Sequence, residues 1–125
     1  MGHLDNLAEV CWQSNENNGW HEPRADEFGV VRRASTIENL ALIDTEVAEA
    51  IEAFRKHGLL TWFEDDGTGD HCKPEGFGFE LADIIIRTLE LAHLRGIDLD
   101  ECVEEKLRYN ARRADVPVRA NTKSI

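Results

Sequence analysis

Four stretches of the chain carry apolar residues at helical spacing, separated by segments punctuated with Gly, Pro and Asp. Leu4, Leu7, Ala8 and Cys11 predict a first helix over residues 4–18, with Gly19 as its stop. Residues 19–34 read as a loop broken by Gly19, Pro23 and Gly29, with Trp20 and His21 at its start. Ser35 followed three residues later by Glu38 matches a capping box. The helix it opens carries an apolar face of Leu40, Ile43, Val47, Ile51 and Phe54. Arg55, Lys56 and His57 then suit the negative end of the helix dipole, and Gly58 ends the helix. Residues 58–78 read as a long connection rich in Gly and Asp, in which Leu59, Leu60, Trp62 and Phe63 pack as a short extra turn. A third helix is expected over residues 79–95. Leu81, Ile84, Ile85, Thr88, Leu91 and Ala92 make one face, and Ile86 and Leu89 widen it, so burial should extend around much of its circumference. Asp98 with Glu101 caps a fourth helix that runs to about Ala114. No strand alternation and no internal repeat stand out. The pattern predicts an all-α, four-helix-bundle-like domain over residues 1–114, with 115–125 as a C-terminal tail.

Length and charge narrow the function. A chain of 125 residues, 42% hydrophobic, is one domain with a modest core, and helical domains of this size often dimerise. A formal net charge of −11 excludes a binder of nucleic-acid backbones, which needs a basic face, and disfavours an anionic membrane surface. It suits divalent cations. Cys11, Cys72 and Cys102 lack the spacing of a disulfide framework or a zinc site, and free thiols fit a reducing, cytoplasmic compartment. The sequence that follows Met1 has no signal-peptide pattern, and no apolar run approaches the roughly 20 residues that cross a bilayer.

The candidate chemistry lies in two acidic motifs, Glu46-x-x-Glu49 in the second helix and Glu80-x-x-Asp83 in the third. A spacing of three sets both carboxylates of a motif on one helix face, about one turn apart. Leu42, Glu46, Glu49 and Ala53 form a stripe spaced as a core-facing seam. Asp83 is followed by Ile84-Ile85-Ile86, so partial burial is expected of it. Two such pairs on packed helices make an all-oxygen cage of the kind Mg²⁺ or Mn²⁺ takes. The plainer explanations are solvated faces, which fit Glu46 and Glu49 taken alone, and an ion-pair core in which Arg87 or Arg55 satisfies the carboxylates.

Glu46-Val47-Ala48-Glu49, then Glu80-Leu81-Ala82-Asp83, then Gly96-Ile97-Asp98-Leu99 and a helix with Lys106-x-x-x-Asn110-x-x-Arg113 resemble the MazG-like all-α nucleoside triphosphate pyrophosphohydrolases over roughly residues 36–113. Where that family often has a doubled glutamate, this chain has Thr45-Glu46. The resemblance implies Mg²⁺-dependent cleavage of a (d)NTP to the monophosphate and pyrophosphate, or hydrolysis of a specialised nucleotide of the phosphoribosyl-ATP type. It also implies a homodimer or tetramer that associates through its core helices. A helical nucleotide- or protein-binding dimer without activity is the alternative from a different class.

In that chemistry Glu46, Glu49, Glu80 and Asp83 would hold the metal, with Glu49, then Glu46, as the base. Lys106 and Arg113, seven apart on one face, would hold the phosphates, and Asn110 phosphate or ribose. Without the resemblance the two cations read as dipole-favoured charges near a helix end. Trp20 and His21 fit a base or sugar pocket as well as they fit a loop anchored on the core. Lys73 reads as a solvated loop lysine that phosphate could reach, and nothing completes a zinc set around His71-Cys72.

Overall fold

The computed structural model describes residues 2–17, 23–25, 27–69 and 72–113. The elements run α1 His3–Asn17, β1 Arg24–Ala25, β2 Val31–Arg32, α2 Thr36–His57, β3 Thr61–Asp65, β4 Cys72–Gly76, α3 Phe77–Leu94 and α4 Leu99–Arg113. Ser35 Oγ accepts the Glu38 N–H at 3.2 Å, and Gly58, at φ 61°, donates its N–H to Phe54 O at 2.8 Å, so α2 starts and stops where its sequence signals stand. Asp98 Oδ1 accepts the Glu101 N–H at 3.0 Å and opens α4. Two residues later Asp100 caps a different helix. Its two oxygens accept the N–H groups of Leu4 at 3.0 Å and Asp5 at 2.9 Å, tying the start of α4 to the N-terminus of α1.

α3 is the central helix: α1 and α2 pack against it, and α4 packs on α1. The fold is all-α in its main elements, as the periodicity predicts. The deepest contacts are made by small residues, with Ala8, Ala50 and Ala92 buried alongside Leu89. Small side chains let helix backbones approach closely, but they remove little apolar surface from water.

Three sequence expectations need correction. The connection over 58–78 is not a loop with an extra turn. Thr61-Trp62-Phe63 has the β-branched and aromatic content of a strand, and β3 pairs antiparallel with β4 in the register Thr61↔Gly76, Trp62↔Glu75 and Phe63↔Pro74. Pro74 and Gly76 hide the second strand from pattern reading, yet a two-stranded ribbon is all edge and tolerates Pro. The helix after it begins at Phe77, two residues early. A shorter antiparallel bridge, β1 to β2, lies within the predicted 19–34 loop.

The hairpin is pinned by rings: His57 meets Trp62 edge-on at 4.7 Å, and Phe63 meets Phe79 at 5.5 Å. Gly76 is required there. Its φ is 116°, and a Cβ would stand 2.3 Å from Leu60 O.

The third correction concerns α2. Its stripe of Leu40, Val47, Ile51 and Phe54 is exposed, and only Ile43 of the predicted apolar face is half-buried. The face turned to α3 instead carries Glu46 and Ala50. α3 is broadly covered as expected, except at Leu81 and Ile85, which are open. The tail over 115–125 and the expected last helical residue, Ala114, lie outside the described residues.

Candidate metal centre

Because α2 turns Glu46 toward α3, that carboxylate meets the acidic motif of the other helix. One oxygen each from Glu46, Glu80 and Asp83 lie within 4.8 Å of one another. Glu49, one turn on from Glu46, is exposed, and its side chain shares a hydrogen bond with Glu80. The two motifs therefore come together across one helix–helix contact.

Burial among the four agrees with the core-facing stripe at Glu46 and departs from expectation at Glu49 and Asp83. Glu46 is 8% exposed, whereas Asp83 stands at the open rim. Helical phase explains the exposure of Asp83: each successive side chain turns about 100° around α3, so the three isoleucines that follow Asp83 project in other directions and do not enclose it.

The electrostatics follow from that placement. The Glu80 carboxyl is pushed up to about 7, first by burial, then by the charges of Glu49, Asp83 and Glu46, and by its hydrogen bond to Glu49. Glu80 Oε2 is buried and, among the described residues, finds no hydrogen-bond partner. Asp83 is also held above the usual carboxylate range, by lost solvent around its carboxyl and then by Glu46, against the pull of Arg87 and Lys73. Arg87 Nε donates to Glu46 Oε1 at 2.7 Å, so one pair of the ion-pair alternative is present, while Arg55 is exposed at the far end of α2. One guanidinium cannot balance four carboxylates. A clustered all-oxygen donor set with an orphaned buried oxygen fits a hard divalent cation.

Lys73 lies on β4 rather than in a loop. Its Nζ pairs with Glu75 at 2.9 Å, and its charge reaches Glu80 and Asp83. The hairpin missed in the sequence thus sets a cation near the mouth of the cluster. The expected phosphate contacts on α4 form a second group. Lys106 Nζ and the Arg113 guanidinium lie 5.6 and 5.5 Å from the centre of the Tyr109 ring, and Asn110 is exposed. α4 packs chiefly on α1, so these three are not gathered into the carboxylate cluster. Trp20, His21 and His71 lie outside the described residues. Cys11, Cys72 and Cys102 are free, and no described helix is long and apolar enough to cross a membrane.

A second acidic group, Asp5, Asp98 and Asp100, gathers at the N-terminal end of α1. Asp100 and Asp98 are engaged there as helix caps. The sequence signals Asp98, but nothing in a single chain marks Asp100 as the cap of a helix that begins nearly a hundred residues earlier.

Among known proteins, the family model described as phosphoribosyl-ATP pyrophosphohydrolase matches residues 23–110. No curated protein and no solved structure matches the chain.

Proposed function

The chain belongs to the phosphoribosyl-ATP pyrophosphohydrolase family and is a hydrolase acting on acid anhydrides, and from that premise we propose that it cleaves a nucleotide between its α and β phosphates at the Glu46, Glu49, Glu80 and Asp83 cluster. The observation that carries this reading is the convergence of three carboxylate oxygens within 4.8 Å, beside a buried Glu80 oxygen with no partner. Glu46, Glu80 and Asp83 would hold Mg²⁺, or Mn²⁺ in its place, with Glu49 beside them. The ion supplies charge neutralisation at the phosphates and a more acidic bound water.

In the proposed reaction a water oxygen bonds to the α phosphorus as the bond from that phosphorus to the α–β bridging oxygen breaks. Pyrophosphate leaves with the electron pair. Glu49 accepts the water's proton, because it is exposed and open to substrate, whereas Glu46 is tied to Arg87. Lys106, Asn110 and Arg113 would hold phosphate or ribose, and Trp20 and His21 the base or sugar. Since α4 stands apart from the cluster within one chain, a second copy is the natural means of bringing its cations near. A homodimer or tetramer formed on the open α2 and α3 faces would bury Leu40, Ile51, Phe54 and Ile85.

The leading substrate is a canonical or modified (d)NTP. Phosphoribosyl-ATP is the second reading, favoured by the description of the family that matches. A panel of these substrates with Mg²⁺, read as pyrophosphate and nucleoside monophosphate release, separates them. Turnover of one class that falls at least 100-fold in Glu49→Gln and Asp83→Asn is expected. No release above those variants with any substrate would sink the reading.

A further inference from the structure

Arg87 lies one helical turn beyond Asp83, so Glu80, Asp83 and Arg87 fall on one stripe of α3 at spacings of three and four. Its Nε donates to Glu46 Oε1 at 2.7 Å across the α2–α3 contact. Both partners are well covered, with side-chain exposures of 27% for Arg87 and 10% for Glu46. A planar guanidinium held at Nε fixes the direction of a carboxylate as well as balancing its charge. A carboxylate has two oxygens, and this contact occupies one. The partner chosen is also the most buried member of the cluster, and among the described residues the carboxylates left over still outnumber the nearby cations, Arg87 and the rim lysine Lys73.

Resting on the metal reading of that cluster, we propose that Arg87 is a positioning residue: it holds one oxygen of Glu46 and so orients the other toward a divalent cation shared with Glu80 and Asp83. Partners that orient a metal ligand in this way typically change affinity by 10–100-fold when removed. The opposite role, a cation that occupies the site and competes with metal, would change affinity in the other direction.

The test uses the full chain and Mn²⁺ alone, with free Mn²⁺ read by electron paramagnetic resonance. Arg87→Gln is expected to weaken Mn²⁺ binding about 10–100-fold. In a Glu46→Gln background the same change should add less than about twofold, because Arg87 acts through Glu46. A general loss of packing would weaken binding in both backgrounds. If Arg87→Gln does not fold, Arg87→Lys carries the test, since it keeps the charge and loses the Nε donor, and a folded Lys variant should bind at least about threefold more weakly. Wild-type binding with unchanged or tighter binding in the folded variants overturns the role of Arg87 alone. A wild type that binds no Mn²⁺ overturns the carboxylate reading itself, and this inference with it.

Discussion

Glu80 is the residue on which the cluster's chemistry turns. It is half-buried among three other carboxylates, and its own carboxyl is raised from 4.5 to about 7. A raised carboxyl favours the protonated form in the fold, so its contribution to stability is complete below about pH 4.5 and is lost as pH climbs through about 7. The metal-free protein should therefore melt at a lower temperature at pH 8 than at pH 5.5, and Glu80→Gln should flatten that slope. Melting curves followed by circular dichroism across this range check it, and a wild-type midpoint that rises with pH in step with Glu80→Gln would contradict it. The two ExxE/D spacings pick out carboxylates that the fold gathers at the α2–α3 contact, and the core-facing stripe places Glu46 inward, but the expected cover over Asp83 is absent. Asp83 looked enclosed because three isoleucines follow it, whereas exposure is set by helical phase against neighbours far along the chain. Arg87 was legible only as one of two cations that might pair, because choosing it over Arg55 requires the α2–α3 register.

Among the elements, local signals are legible in the sequence and pairings between distant segments are not. The Ser35 cap, the Gly58 stop and the Asp98 cap all stand where composition put them, since each bond spans only a few residues. The β3–β4 hairpin escaped because Pro74 and Gly76 are poor strand formers that a ribbon edge accepts. The outward face of α2 was legible as apolar, but not as uncovered. Leu40, Ile51 and Phe54 are each roughly half exposed, as is Ile85 on α3. Helices of a lone domain normally turn such a stripe inward. Sedimentation velocity at micromolar concentration should give at least twice the mass of one chain, and Ile51→Glu should shift the protein toward one chain's mass. A wild type that sediments as a single chain would remove the dimer proposal.

At the scale of the whole molecule, the acidic balance and the small core have a common consequence. A net charge of −11 concentrates repulsion where four carboxylates meet. The buried apolar side chains among the described residues are three alanines and Leu89, so little core opposes that repulsion. A divalent cation would then act on the fold as well as on the reaction. Any ligand that binds only the folded state stabilises it by mass action, by about 2.7 kcal/mol at 100 times its dissociation constant. The most direct measurement is the thermal midpoint of metal-free protein with and without saturating Mg²⁺, in wild type and in Asp83→Asn. If the cluster is the metal centre, Mg²⁺ raises the wild-type midpoint by several degrees and that of Asp83→Asn by much less. Equal shifts in the two proteins would show that the ion binds elsewhere.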